Sequence, residues 1–399
     1  MQVAEAVRFI DANIADAKAK FAAGQWEPML EVEERRNALR NLAHAQGKAG
    51  DMDAARATIS KIKRLAELLD DDSLGRRFTR SEWLMMSGWV QQEIGELDEA
   101  RRTADAIKDP TNKNLAVAEL AKAFAKSGRM ESARELAAEA LRVAHEIPND
   151  DRPKIVYPEV HRVWAFERGA TAQAEAGEIE GALKTADSIR DIRGGDQGVW
   201  DCLGAWRDIA FVLLRAGKVK EAMEIAKRVR ALPQLPPPVS PAAVEFALVE
   251  FLRDAAMIQA DKHDVDGAFA ILDEFPRGGP YPHSRERHQV FVRIARACAR
   301  SGDLNGIRRA QQSLPEDTSW DHTPALLSVY FARAVAGTDR VAARKSLDWA
   351  AKDCVDPSET PEHLTNAKAA AFLLIAESQP LIGDCHRGKG AAEHAHEPT

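Results

Sequence analysis

Apolar residues in this chain recur at helical spacing on either side of a turn that is repeated along the sequence. The repeated phrase is a helix ending in small residues, then Gly, a polar residue, an aliphatic residue, and an Ala five positions after the Gly. Its copies are anchored at Gly50, Gly95, Gly128, Gly177, Gly217, His263, Gly302 and Gly337. Successive anchors lie 33 to 49 residues apart, the range of two-helix repeats. The pattern predicts an all-α solenoid, a superhelix of about eight antiparallel helix pairs.

The residues around each anchor predict how the two helices of a pair meet. A Gly can take the left-handed conformation that ends the first helix, and the polar residue after it can begin the second. Seven positions before the anchor the residue is Ala or Gly, with Tyr330 as the exception, and five positions after it is Ala, with Ile307 as the exception. These small side chains are expected to let the two helix backbones approach closely.

The segments outside the repeats suggest how the chain is organised. Residues 1–29 are predicted to form an N-terminal capping helix, residues 30–378 the repeat array, and residues 379–399 a disordered tail. Two segments rich in Pro interrupt the rhythm, at 232–241 and 275–284. We expect one domain, with a possible break in curvature at 232–241.

Composition supports this fold and narrows the partners. Apolar residues make up 45% and aromatic residues only 6%, which suits closely packed helices. The formal charge of −7 without a basic stripe argues against nucleic acid as the main partner. The sequence shows neither a signal peptide nor a long uncharged apolar stretch, so we expect a cytoplasmic protein that binds no membrane. Four cysteines without CxxC spacing indicate reduced thiols.

The repeated phrase resembles that of the tetratricopeptide repeat (TPR) family. That family places a large apolar residue and a small one before the turn, as in Leu120 and Ala121, and an Ala in the second helix, as in Ala133. The chain departs from the family in its spacing and in carrying Ala104 and Ala137 where the family has a large aromatic residue. The resemblance implies a TPR-like array whose first helices line a concave groove.

The same resemblance places candidate binding residues at set distances before each anchor. These lining positions are occupied by Trp89, Lys122, Lys126, Trp164, Arg207, Phe211, Arg215, Arg253, Met257, Arg296 and Arg300. Five arginines fall on lining positions of an acidic chain, so we expect the groove of the fourth to seventh repeats to bind an acidic or carboxylate-bearing protein segment. The alternative is that these arginines pair with Glu167, Glu250 and neighbouring acids on a solvated helix face. No Asn stands at the position that the family's chaperone-tail clamp requires.

Chemistry beyond binding finds little support in the sequence. The segment Gly383–Gly390 matches GxxxxGK but lacks the following Ser or Thr and lies in the tail. The tail residues Cys385, His386, His394 and His396 have ligand chemistry but no compact spacing. We therefore expect no enzyme, no cofactor and no metal, and a non-catalytic scaffold that binds protein or peptide. Two alternatives remain open: a ligand- or peptide-sensing solenoid hinged at the Pro-rich break, and an enzyme whose site lies inside the superhelix.

Overall fold

The computed structural model of the chain describes residues 5, 8–10, 12–13, 20, 27–69, 79–148, 158–193, 195–231, 241–275, 284–314, 323–354 and 373–382. Its elements are helices, and no strand occurs among these residues. Sixteen of the helices form eight antiparallel pairs, joined within each pair by the short turn that the sequence predicted. The protein is therefore an all-α, TPR-like solenoid.

The first helix of each pair carries an odd number and the second an even number. The pairs are α1 (Glu27–Lys48) with α2 (Met52–Ala66), α3 (Arg80–Glu93) with α4 (Leu97–Asp105), α5 (Pro110–Lys126) with α6 (Met130–Glu146), α7 (Pro158–Glu175) with α8 (Ile179–Arg193), α9 (Gly195–Arg215) with α10 (Val219–Ala231), α11 (Pro241–Asp261) with α12 (Val265–Asp273), α13 (Ser284–Ser301) with α14 (Leu304–Gln312), and α15 (Thr323–Val335) with α16 (Arg340–Cys354). None of the described helices is long and apolar enough to cross a membrane.

The turn within each pair has the geometry that the sequence predicted. Gly50 has a φ of 81°, and five further anchors have φ between 74° and 85°: Gly95, Gly128, Gly177, Gly217 and Gly302. His263 takes the same left-handed conformation, with a φ of 63°, which is uncommon for a residue other than Gly. The following Asp51, Asp264 and Asp303 accept a hydrogen bond from the backbone N–H three residues on, so each caps the second helix.

The eighth pair departs from this pattern. Its second helix is capped by Asp339, two residues after Gly337, and the Asp339 carboxylate accepts from the Ala342 N–H at 2.9 Å. The backbone N–H groups of Thr338 and Asp339 both donate to the Val335 carbonyl. Because the turn is one residue longer, the buried small residue of α16 is Ala343, and the prediction that Ala342 fills this position is wrong by one.

Small residues mark where the two helices of a pair touch. Seven positions before the anchors, six alanines are fully buried: Ala43, Ala121, Ala170, Ala210, Ala256 and Ala295. Five positions after the anchors, six more are fully buried: Ala55, Ala100, Ala133, Ala182, Ala222 and Ala268. Such contacts keep few side-chain atoms between the backbones, which explains why a chain rich in Ala still packs a continuous core.

A polar contact that the sequence analysis missed joins the helices of three pairs. A Gln four residues before the anchor accepts a hydrogen bond from a Thr eight residues after it. The pairs and their oxygen–oxygen distances are Gln46 with Thr58 at 2.9 Å, Gln91 with Thr103 at 2.7 Å, and Gln173 with Thr185 at 2.8 Å. The repetition indicates that this bond helps to fix the register of the two helices.

Replacing Thr103 by Val should lower the free energy of unfolding by about 1–3 kcal/mol, because the buried amide of Gln91 would lose its partner. Thr185→Val is the matched control, since Thr185 and Gln173 are both partly exposed and water can replace the lost bond. Urea denaturation of the two variants measures the difference. Equal losses in both would show that the bond contributes nothing through its burial.

The helices form two compact units, residues 1–213 and 214–399. The boundary falls inside α9, whereas the sequence suggested a single array with a break at 232–241, and residues 232–240 lie outside the described part. A core around Trp83, Leu120 and Leu136 belongs to unit 1 and includes Ile10 of the predicted capping helix. A second core, around Val329 and Leu347, belongs to unit 2.

The C-terminal end of unit 2 is ordered further than the sequence predicted. Residues 373–378 are helical and are followed by a short 3-10 helix, Gln379–Ile382. Ser378 and Gln379 are buried, and the Ser378 hydroxyl donates to the Leu374 carbonyl at 2.6 Å. Residues 383–399 of the predicted tail, with its possible phosphate loop and metal ligands, lie outside the described residues.

Candidate functional site

Two grooves lie on the faces made by first helices, one in each unit. Both contain residues that the sequence predicted as lining positions. In unit 1, Trp89, Lys122 and Lys126 lie in one groove together with their neighbours. In unit 2, Arg296 and Arg300 lie in another.

The groove of unit 2, called here the arginine groove, has a volume of about 570 Å³. Helix α13 contributes one wall, α15 a second, and residues 374–381 a third. Its lining consists of Arg296, Ala299, Arg300, Tyr330, Arg333, Leu374, Glu377 and Leu381. Cationic and apolar side chains therefore share one surface.

The charges of the arginine groove are only partly compensated. Arg333 is 3.6 Å from the Glu377 carboxylate, and both side chains are exposed. Arg296 and Arg300 are exposed and form no ion pair or hydrogen bond with any part of the chain that the structure describes. Leu381 is 52% exposed and Tyr330 is almost buried, so the groove offers both a hydrophobic edge and a hydrophobic floor.

The groove of unit 1, called here the tryptophan groove, has a volume of about 510 Å³ and lies between α3 and α5. Its lining consists of Trp89, Gln92, Glu93, Leu115, Glu119, Lys122, Ala123 and Lys126. Trp89 and Leu115 pack against the core of unit 1 with part of their surface and face the groove with the rest. The floor is apolar and its rim is charged.

Most charges on the rim of the tryptophan groove are already paired. The Lys122 ammonium is 2.8 Å from the Glu119 carboxylate, and Glu93 is 2.6 Å from the His44 imidazole. Lys126, at the C-terminal end of α5, is exposed and has no ionic or hydrogen-bonding partner among the described residues. A single cation is therefore left over in this groove.

Arg253 does not provide a free cation, although the sequence placed it on a lining position. Its guanidinium lies 2.6 Å from Glu250 and 2.7 Å from Asp254, and its side chain is mostly buried. Although burial disfavours the charged form, these two carboxylates raise the pKa of Arg253. The alternative interpretation, pairing with neighbouring acids, holds for this residue.

The other predicted lining residues lie outside the two grooves. In unit 1, Trp164 is 43% exposed and packs edge to face against His161, and the Arg207 guanidinium lies 6.0 Å from the Phe211 ring. In unit 2, Arg215 is exposed and Met257 is half-buried. The predicted groove from the fourth to the seventh repeat is thus divided between the units.

Glu167 carries the largest electrostatic perturbation on the first-helix face of unit 1. Burial raises the pKa of its carboxyl to about 7, and the charges of Asp201 and Asp208 add to the effect. Arg168 and Arg207 offset it only partly. Glu167 also lies close to α9, because a Cβ at Gly204 would be 3.6 Å from its carboxylate oxygen.

The raised pKa of Glu167 predicts a pH dependence of stability. Its ordinary value is 4.5, so the folded state holds this proton up to about pH 7 while the unfolded chain releases it earlier. The free energy of unfolding should therefore fall as pH rises through this window. At about pH 8 we expect Glu167→Gln to raise it by about 1–2 kcal/mol, after allowance for solvent screening.

The exposed Glu180→Gln is the control for this prediction, and thermal unfolding across the pH window is the measurement. A Glu167→Gln variant that keeps the pH dependence of the parent protein would show that Glu167 titrates normally.

The described residues offer no evident site for metal or thiol chemistry. No group of three His, Cys, Asp or Glu among them is placed to hold a metal ion. Cys202 and Cys298 are free and buried, and burial raises the pKa of each thiol to about 12. Such thiols are poor nucleophiles at neutral pH.

The sequence missed several lining residues for identifiable reasons. Leu374, Glu377 and Leu381 belong to a segment without the repeated phrase, so no anchor existed from which to count. Arg333 was missed because the longer turn of the eighth pair changes the register, and the residue chosen instead, Phe331, packs against the core of unit 2. Leu115 stands at a lining position but was passed over as ordinary core.

Comparison with known proteins gives structural likenesses only. No protein-family model matches the chain, and no curated protein matches it significantly. Three solved structures resemble it, and the values for each are its identity, the share of this chain covered, the share of the other chain covered, and its TM-score. They are Ton1535 from Thermococcus onnurineus NA1 (15%, 90%, 99%, 0.39), the apo form of the quorum sensor NprR from B. thuringiensis (11%, 91%, 98%, 0.30), and the human IFIT1 dimer with PPP-AAAA (14%, 92%, 86%, 0.28). All three TM-scores are below 0.5, so the fold assignment rests on the helices of this chain itself.

Proposed function

We propose that this protein is a non-catalytic binding scaffold whose arginine groove takes an acidic segment of a partner protein. The observation that carries the proposal is the position of Arg296 and Arg300, exposed and unpaired among the described residues, beside an apolar floor. An exposed cation needs no explanation when it is isolated. Two of them on one groove wall make a surface that an anionic ligand would complete.

The use of arginine elsewhere in unit 2 supports this proposal. On the second helices, Arg230 is 3.0 Å from Glu274 and Arg309 is 2.8 Å from Asp266. These ion pairs join neighbouring helix pairs and neutralise their cations within the structure. In a chain of net charge −7, unpaired arginines on a first-helix face are therefore a local excess of positive charge.

The groove chemistry favours a carboxylate next to an apolar side chain. Guanidinium groups bind carboxylates through two parallel hydrogen bonds, and Arg is common at the energetic centre of protein interfaces. Tyr330, Leu374 and Leu381 provide the apolar surface against which a Leu, Phe or Met of the partner would pack. The one carboxylate of the lining, Glu377, is paired with Arg333, which suits recognition better than acid–base catalysis.

A phage library of random peptides tests the proposal, with the full chain, its Arg296→Glu/Arg300→Glu variant and a control variant as baits. The control, Arg340→Glu/Lys345→Glu, makes the same charge change on the exposed side of the second helix α16. We expect the parent and control baits to enrich peptides with Asp or Glu beside a large apolar residue, and the groove variant to enrich none of them. Enrichment by all three baits would contradict the proposal.

Nucleic acid is the competing ligand class, because phosphate also binds arginine and its exclusion remains a prediction from charge. A single-stranded oligonucleotide is therefore added as a competitor. If it displaced the selected peptides at physiological salt and bound the parent chain but not the groove variant, the arginine groove would be a phosphate site and the peptide proposal would be wrong.

A further inference from the structure

The tryptophan groove of unit 1 has the features of a second binding site with its own ligand. We propose that it binds an extended peptide segment of about five residues that carries one carboxylate next to a large apolar side chain. This proposal does not depend on the arginine groove, since the two grooves belong to different units and share no residue.

The length of the groove sets the size of the ligand. Its α5 wall is formed by residues 115, 119, 122, 123 and 126, which lie on one face of the helix. At about 1.5 Å per residue this wall is about 16 Å long. An extended chain rises about 3.3 Å per residue, so about five residues of a peptide would span it.

The charges of the groove set the sign of the ligand. The Lys122–Glu119 and Glu93–His44 contacts neutralise most of the rim. What remains without a partner among the described residues is the Lys126 ammonium and the side-chain amide of Gln92. A ligand carboxylate would pair with Lys126 and could accept from Gln92, whereas a ligand cation would meet Lys126 unfavourably.

The floor of the groove sets the apolar part of the ligand. The Trp89 ring, Leu115 and Ala123 provide a surface against which a Leu or Phe would pack. The Trp89 indole nitrogen is buried and has no hydrogen-bond acceptor among the described residues. Turning the ring toward a ligand would therefore break no hydrogen bond, so Trp89 can adapt to an incoming side chain.

A pair of blocked pentapeptides tests the proposal on the full chain. The probe is acetyl-Ala-Phe-Asp-Leu-Ala-amide, and its control has Asn in place of Asp. Protein labelled with 15N at the indole nitrogens reports binding through its Trp cross-peaks, and Trp89→Phe identifies the peak of Trp89. We expect the Asp peptide to shift this peak saturably and to bind at least about fivefold more tightly than the Asn peptide.

Two further variants locate the carboxylate. Lys126→Ala should abolish the difference between the two peptides, while Lys108→Ala, which removes an exposed lysine outside the groove, should preserve it. Unchanged positions of the other indole peaks show that each variant is folded. The proposal is overturned if the Asp peptide leaves the Trp89 peak unmoved, or if the parent protein binds the two peptides equally.

The Arg296→Glu/Arg300→Glu variant separates this site from the arginine groove. We expect it to shift its Trp89 peak with the Asp peptide as the parent protein does. Loss of that shift would make binding at the tryptophan groove a consequence of the other site and would overturn the proposal of an independent one.

Discussion

Replacing Arg36 by Ala is expected to lower the free energy of unfolding of unit 1 by about 3–5 kcal/mol. The Arg36 side chain is 1% exposed, and its guanidinium lies 3.1 Å from Glu33, 3.3 Å from Glu82 and 5.5 Å from the Trp83 ring. It joins α1 to α3, the first helices of two successive pairs. Its removal leaves two partly buried carboxylates without this counter-charge and opens a cavity beside Trp83.

Arg40→Ala is the matched control for this prediction, because Arg40 lies one turn further along α1 and its guanidinium bonds only the exposed side chain of Asn41 among the described residues. We expect the control to change stability by no more than about 0.5 kcal/mol. Arg36→Met, which keeps most of the volume, separates packing from charge. Urea denaturation followed by tryptophan fluorescence measures all three. A loss below about 1 kcal/mol for Arg36→Ala would contradict the ion pair's structural role.

Reversing Arg296 and Arg300 to Glu should weaken binding of a selected acidic peptide by a factor of about 10² to 10⁴. Each hydrogen bond to a charged group contributes about 1.5–3 kcal/mol, and about 1.4 kcal/mol corresponds to a tenfold change in affinity. Two lost contacts therefore account for about 3–6 kcal/mol, before repulsion by the introduced carboxylates. Isothermal titration with the parent chain and the double variant measures the change.

Arg340→Glu/Lys345→Glu again serves as the control for net charge, and its affinity should stay within about threefold of the parent. Raising the ionic strength should weaken the parent interaction and leave the double variant almost unaffected, because the variant has lost the contacts that salt screens. A double variant that binds as tightly as the parent would exclude the arginine groove as the peptide site.

The turn and the helix contacts were predictable because they are local. A residue that must take a positive φ is almost always Gly, so the anchors could be found by eye, and the small residues seven before and five after followed at fixed distances. His263 shows the limit, since only its place in the series identified it as an anchor. The Thr–Gln bond was equally regular in the sequence, at minus four and plus eight, but it recurs in only three pairs.

The candidate sites were predictable in position but not in state. Counting back from Gly95, Gly128 and Gly302 placed Trp89, Lys122 and Arg296 on first-helix faces where grooves exist. Whether a lining cation is free depends on side chains of its own and neighbouring helices. Arg253 is neutralised by Asp254, and the pKa of Glu167 depends on Asp201 and Asp208 from another helix. Neither effect follows from spacing alone.

The most direct test of the proposed function is site-specific photo-crosslinking of a selected acidic peptide. A benzophenone amino acid replaces Leu381 on the edge of the arginine groove or, as the control, Trp349 on α16; the two positions are similarly exposed, at 52% and 47%. We predict that irradiation links the peptide to the variant at position 381 and that Arg296→Glu/Arg300→Glu prevents this link. Equal crosslinking at both positions, or crosslinking only at position 349, would contradict binding in the arginine groove.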